Sequence, residues 1–261
     1  MAETAQPAVV RPRQLYPGRV PLVLFQPRRL FEWVTAEAHG VWLTPILLLT
    51  LTTLLRVVVA GVIRQADPAA GQVALPPDFQ YYSPEQQAQF MQAAQATSGP
   101  AFTFVFPALG GVLGVWLGWL IVGGLVHLVL TMLGGRGSTT MAMNVVAWAS
   151  VPFAVRDLVR VLAMIISGKT IAAPGLSGFI ASDAAGVMLF LSALLALIDL
   201  YLIWHIVLLV LGSRVGDPSL SRLKVNLSIW IIMILMLAIQ GGVGFLGAQL
   251  ATMNVMRPFF F

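Results

Sequence analysis

Between Phe102 and Leu133 the chain carries no Asp, Glu, Lys or Arg. A bilayer core about 30 Å thick is crossed by about 20 helical residues, and backbone at that depth must satisfy its own hydrogen bonds. Residues 102–133 are therefore predicted to form a membrane helix that tilts or projects. Four further apolar runs are long enough to do the same: 41–63, 139–167, 184–211 and 225–250. The predicted fold class is all-α integral membrane, a bundle of five transmembrane helices preceded by a short interfacial helix.

Composition agrees with this reading. Charged residues make up 10% of the chain and hydrophobic residues 58%, whereas a soluble domain is about 25% charged. The net charge of +5 comes from cations that flank the apolar runs. That pattern fits membrane orientation and headgroup contact better than a nucleic-acid surface. The absence of cysteine excludes disulfides, thiolate metal clusters and Cys nucleophiles.

Residues 1–20, rich in Pro, Ala, Gln and Arg, are expected to form a flexible cytoplasmic tail, and 21–261 one membrane domain. No basic segment followed by an apolar core precedes Val41, so the first span is expected to be retained as a signal anchor. Within Pro21–Gly40, Pro27 suits a first helical turn and Gly40 a stop, and Leu30, Phe31, Trp33, Val34 and Ala38 share one side. Arg28, Arg29, Glu32 and Glu37 occupy the rest, the pattern of an interfacial helix. The loop 64–100 is expected on the extracytoplasmic side. It contains a helix start at Ser83-Pro84-Glu85-Gln86, a capping-box pattern, running to about Thr97. Gly110, Gly114 and Gly118 form a small-residue groove for close packing within the chain or against a second copy.

With the N-terminus in the cytoplasm, nine Lys/Arg fall inside: Arg11, Arg13, Arg19, Arg28, Arg29, Arg136, Arg214, Arg222 and Lys224. Three fall outside: Arg64, Lys169 and Arg257. The positive-inside rule favours that orientation and an extracytoplasmic C-terminus. Met256-Arg257-Pro258 and the three terminal phenylalanines are expected at an interface.

The third run carries what an apolar helix should not want. Asn144, Trp148, Pro152, Arg156 and Arg160 recur every four residues, with Asp157 beside them. Charges at membrane depth are expensive and face a bundle interior or an aqueous cavity. Arg56 and Asp199 sit at similar depth in their own runs. Arg56, Arg156, Asp157, Arg160 and Asp199 are thus predicted to gather, with Asp157 able to pair with Arg160 and Asp199 with Arg156 or Arg56. Such a cluster serves either as ion pairs that fix helix register, with Arg160 snorkelling to the outer headgroups, or as the lining of a polar cavity for an anion, a lipid headgroup or a proton. Pro152 kinks or splits its helix.

His127 and His205 come at one depth, a pair that could ligate haem or a metal, but two unaided histidines suit helix packing better, and no cofactor is expected. No paired carboxylates or Ser–His spacing suggests catalysis, and the glycine turn at Gly134 lacks the Lys-Ser/Thr of a phosphate loop.

Several short motifs occur in order. They are Leu24-Phe25-Gln26-Pro27-Arg28-Arg29-Leu30-Phe31, the hairpin Leu133-Gly134-Gly135-Arg136-Gly137-Ser138, Ala147-Trp148-Ala149-Ser150-Val151-Pro152, and Gly212 followed by Ser221-Arg222-Leu223-Lys224. In this order the chain resembles the Yip1 family of membrane proteins over most of Pro21–Leu250. The resemblance implies a five-helix membrane domain with a cytoplasmic N-terminus. Eukaryotic relatives act in vesicle trafficking with prenylated small GTPases. The short tail here gives no ground for carrying GTPase binding over, and the Ala/Gly/Val/Leu-heavy composition suits a bacterial plasma membrane. The expected role is a non-enzymatic membrane scaffold or partner-recruiting protein, embedded in the lipid bilayer with membrane-protein partners or as a homo-oligomer. The alternative is a small transporter subunit or export accessory using the Arg/Asp cluster.

Overall fold

The computed structural model describes residues 15–66, 79–181 and 185–253, and among them every regular element is helical. In chain order these are α1 (Val20–Phe25), α2 (Pro27–Ala36), α3 (Leu43–Ala66), α4 (Pro84–Ser98), α5 (Phe106–Met132), α6 (Thr139–Ala149), α7 (Val151–Ser167), α8 (Val187–Leu195), α9 (Leu200–Gly216) and α10 (Arg222–Met253). Three stretches are long and apolar enough to cross a membrane: Leu43–Ala66, Ala101–Met132 and Arg222–Gln249. The bent pair α8 and α9 makes a fourth if it counts as one span. The chain is a multi-pass membrane protein.

One end of the bundle, here the hairpin end, carries the α2–α3 linker, the α5–α6 turn and the α9–α10 turn. The opposite loop end carries the end of α3, the start of α5 and the segment after α7. Before α5 a π turn spans Ala101–Val105, closed by the Phe106 N–H on the Ala101 carbonyl. Pro107 has no N–H for the Thr103 carbonyl, so regular α-helical bonding does not start earlier.

The third segment is two helices. Pro152 offers no N–H to Trp148, and the Ser150 hydroxyl donates to the Val146 carbonyl at 2.8 Å while the Phe153 N–H reaches Ser150 at 3.0 Å. Pro152 thus splits the segment, ending α6 and occupying the first turn of α7. Eight of the eleven residues of α6 are buried, from Met141 to Ala149. Helices α5 and α9 flank it, and α2 crosses its hairpin end.

The fourth segment corrects the expectation of one helix over 184–211. It breaks between Leu195 and Leu200 with a bend of 63°, and α9 continues to Gly216. No Gly or Pro lies in Ala196-Leu197-Ile198-Asp199 to announce this. The break is held from outside. The Leu176 N–H donates to the Leu195 carbonyl at 2.9 Å and lies 3.2 Å from that of Ile198. Gly175 makes the approach with φ +60°, and a Cβ there would come within 2.7 Å of the Ile198 carbonyl oxygen. Non-helical backbone at membrane depth survives only when protein supplies such partners.

The amphipathic α2 begins at Pro27 as expected but ends at Ala36, which leaves Ala38 outside it. Leu30, Phe31 and Val34 are fully buried, covered by α9 and α6 rather than open to lipid. Ser83 caps α4 with both bonds of a capping box. Residues 1–14 of the tail, 67–78 of the loop and the terminal 254–261, including Met256-Arg257-Pro258, lie outside the described residues.

At the hairpin end, Gly134 takes φ +96°, a conformation that favours glycine. The Gly137 N–H donates to the buried carboxylate of Asp217 at 3.2 Å, and Ser219 donates to its other oxygen at 2.6 Å. A Cβ on Gly135 would collide with Asp217, so Gly135 is small because the clamp lies there. Asp217→Ala leaves both donors without that acceptor and is expected to lose about 1–3 kcal/mol. The readout is a lowered thermal unfolding midpoint in detergent; an unchanged midpoint would dismiss the clamp.

Candidate functional site

The ionisable side chains of three helices meet in the loop-end half of the bundle. Helix α3 contributes Thr53 and Arg56, one turn apart. Helix α7 contributes Arg156, Asp157 and Arg160, and Asp199 comes from the break before α9. Arg56 Nε lies 3.1 Å from Asp157 Oδ1, and the Thr53 hydroxyl donates to Asp157 Oδ2 at 3.1 Å. Arg156 Nη1 and Arg160 Nη2 lie 3.6 Å and 3.5 Å from Asp199 Oδ2. Arg156 also approaches Asp157, at 3.9 Å, and its guanidinium sits 4.7 Å from the centre of the Phe153 ring.

These distances place all five residues side by side, with a pairing other than the one expected from spacing. Asp157 does not pair with Arg160. Its carboxylate turns across to α3, where Thr53 and Arg56 offer a donor and a cation together, and Arg160 reaches Asp199 instead. Asp199 also does a second job: its Oδ1 accepts the Leu202 N–H at 2.9 Å and caps α9. Arg56 and Asp157 are close but out of line for a hydrogen bond, which makes their contact Coulombic. Asp157 is 5% exposed, whereas the three arginines retain between 21% and 34%. Three guanidiniums against two carboxylates leave the cluster one positive charge in excess.

Thr53 was not singled out by the sequence. It sits among Thr50 and Thr52 in an apolar helix, and only the partner helix distinguishes it. A cavity of about 350 Å³ adjoins the cluster, lined by α3 from Arg56 to Arg64, by Thr103 and Pro107, and by Thr170.

Asn144 and Trp148, the hairpin-end members of the series that recurs every four residues, have a separate role. Asn144, fully buried, accepts the Val41 N–H at 2.9 Å and donates to the His39 carbonyl at 3.0 Å. Trp148 Nε1 donates to the Val41 carbonyl at 3.0 Å. That carbonyl lacks its helical partner because Pro45, four residues on, has no N–H. These two side chains therefore complete the backbone of the linker into α3.

His205 Nδ1 lies 2.8 Å from the Ala149 carbonyl. A carbonyl only accepts, so this nitrogen carries the proton, and the ring rests against Phe153. Among the described residues no three His, Asp or Glu side chains group to hold a metal. The predicted glycine groove faces no other helix among the described residues: a Cβ on Gly110, Gly114 or Gly118 would meet nothing within 4 Å. The glycines that α3 and α6 press upon are Gly111, against Thr53, and Gly123, against Met143.

The profile of the Yip1 domain matches residues 22–248. No curated protein and no solved structure shows significant similarity to the chain. The matched residues run from before α2 to near the end of α10 and include the glycine hairpin, the Pro152 split and the whole ion-pair cluster. The chain belongs to the Yip1 domain family of membrane proteins.

Proposed function

We propose that this protein is a non-enzymatic scaffold of a bacterial plasma membrane that recruits membrane-protein partners or further copies of itself. It crosses the bilayer five times, the third crossing made by α6 with α7 and the fourth by α8 with α9. The N-terminus and hairpin end are cytoplasmic, in line with the cations there, and α1 and α2 lie at the interface. The observation that carries the reading is the internal use of the intramembrane polar groups. Asp157 and Asp199 hold arginines of α3 and α7, and Asn144 and Trp148 hold the α2–α3 linker, so these groups serve to fix helices against one another. The alternative, a transporter subunit, needs the same groups to line a path.

The uncovered row of Gly110, Gly114 and Gly118 fits association with another membrane helix. Gly114→Leu is expected to abolish a crosslinked complex between copies, or with a membrane protein held in fixed stoichiometry, while leaving the unfolding midpoint of the single chain unchanged. Solute flux into proteoliposomes should match protein-free vesicles. Flux above that background, or a complex indifferent to Gly114→Leu, would count against this reading.

A further inference from the structure

The cavity beside the ion-pair cluster has a one-sided chemistry. Among the described residues no Asp or Glu lines it. Arg56 stands at its inner end and Arg64 near the loop-end terminus of α3, two turns away on the same face, about 12 Å apart along the axis. Between them Val57, Ala60, Gly61 and Pro107 give apolar walls, and Thr170 adds a hydroxyl from the segment after α7. Gly61 is hemmed in by the Phe104 ring, which closes the wall on the α5 side.

The charge balance points the same way. The cluster behind Arg56 is one positive charge in excess, and Asp157, the carboxylate nearest Arg56, is shared with Arg156. The Nε of Arg56 lies against Asp157 Oδ1 at 3.1 Å, and the side chain keeps 34% of its surface exposed. Arg64 has no ion pair among the described residues. Arg56 and Arg64 thus bring two guanidiniums and no carboxylate of their own to the described lining, and the planar donors of a guanidinium match phosphate oxygens two at a time. The volume of about 350 Å³ stands at the lower end of ligand sites, about 300–1,000 Å³. It suits a headgroup phosphate whose acyl chains stay in the bilayer, or a free phosphate.

We infer that this cavity is a binding site for a phosphate group, held between Arg56 and Arg64. The anion neutralises the excess charge of the cluster and ties α3 to the start of α5 and the end of α7. This depends on the membrane-embedded fold and not on the recruiting role, so it stands or falls by itself.

The full chain, purified in a maltoside detergent that carries no phosphate, is titrated separately with inorganic phosphate and with dihexanoyl phosphatidic acid. The thermal unfolding midpoint and phosphorus NMR line broadening are followed. A saturable rise with the lipid alone identifies the headgroup as the source; a rise with both identifies the phosphate group itself as sufficient. Either result supports the site. Arg64→Gln is expected to weaken binding tenfold or more without moving the unliganded midpoint, because Arg64 is exposed and outside the ion-pair cluster. Ala60→Leu, which fills the cavity and removes no charge, should also weaken binding. Arg136→Gln, at the opposite end of the bundle, should bind as the parent does. The inference is overturned if neither probe binds, if Arg64→Gln or Ala60→Leu binds like the parent, or if Arg136→Gln loses as much as Arg64→Gln.

Discussion

Asp157→Leu is expected to destabilise the protein by about 3–5 kcal/mol, the range for removing one partner of a buried ion pair. The carboxylate is 5% exposed and faces Arg56, Arg156 and the Thr53 hydroxyl. Without it the cluster passes from one excess positive charge to two, and Arg56 and Arg156 face each other with nothing between. The double variant Arg56→Leu/Asp157→Leu returns the excess to one and replaces the pair with apolar volume. It should therefore recover most of the loss, since paired apolar replacements are often neutral. Unfolding of the detergent-solubilised chain, run as a double-mutant cycle, measures this. A double variant as unstable as Asp157→Leu would mean that Asp157 matters through something other than Arg56.

The second large effect is expected at the other end of the same segment. Trp148→Ala should cost about 3–5 kcal/mol, as large-to-small substitutions of buried aromatics do. The side chain is fully buried, stacks edge-on to Trp33 at 5.9 Å and supplies the hydrogen bond to the Val41 carbonyl. Trp148→Phe separates the two contributions. It keeps much of the ring volume and loses the donor, for which about 1–3 kcal/mol is expected. If Trp148→Phe is indistinguishable from the parent, the Val41 carbonyl finds another partner and the linker does not depend on the indole.

Together these effects describe a third segment that works from both ends. Its hairpin-end half holds the linker into α3 through Asn144 and Trp148. Its loop-end half holds the same helix again through Asp157. Helix α3 is thus gripped twice by α6 and α7, and the Pro152 split sits between the two grips, where the direction of the segment changes.

The sequence by itself determined the class of solution. Apolar runs such as Phe102–Leu133 admit only helices at membrane depth, and Pro27, the Ser83 capping box and the Gly134 turn mark local starts and turns through backbone chemistry that needs no neighbours. It also offered Arg56, Arg156, Asp157, Arg160 and Asp199 as one candidate cluster, because charges at membrane depth turn to a bundle interior or an aqueous cavity. The tertiary structure alone decided who pairs with whom. Spacing within α7 offered Arg160 to Asp157, but the carboxylate goes to α3, where Thr53 adds a hydrogen bond that no reading of one helix contains. The break before α9 was equally hidden. Asp199 reads as a buried charge until the chain bends, and the bend is held by Leu176, a residue from another segment whose N–H fills the gap. Local rules are written in neighbouring residues and are legible in sequence. Ion-pair choice and the satisfaction of broken backbone depend on which segments come to lie side by side, and that is settled only by packing.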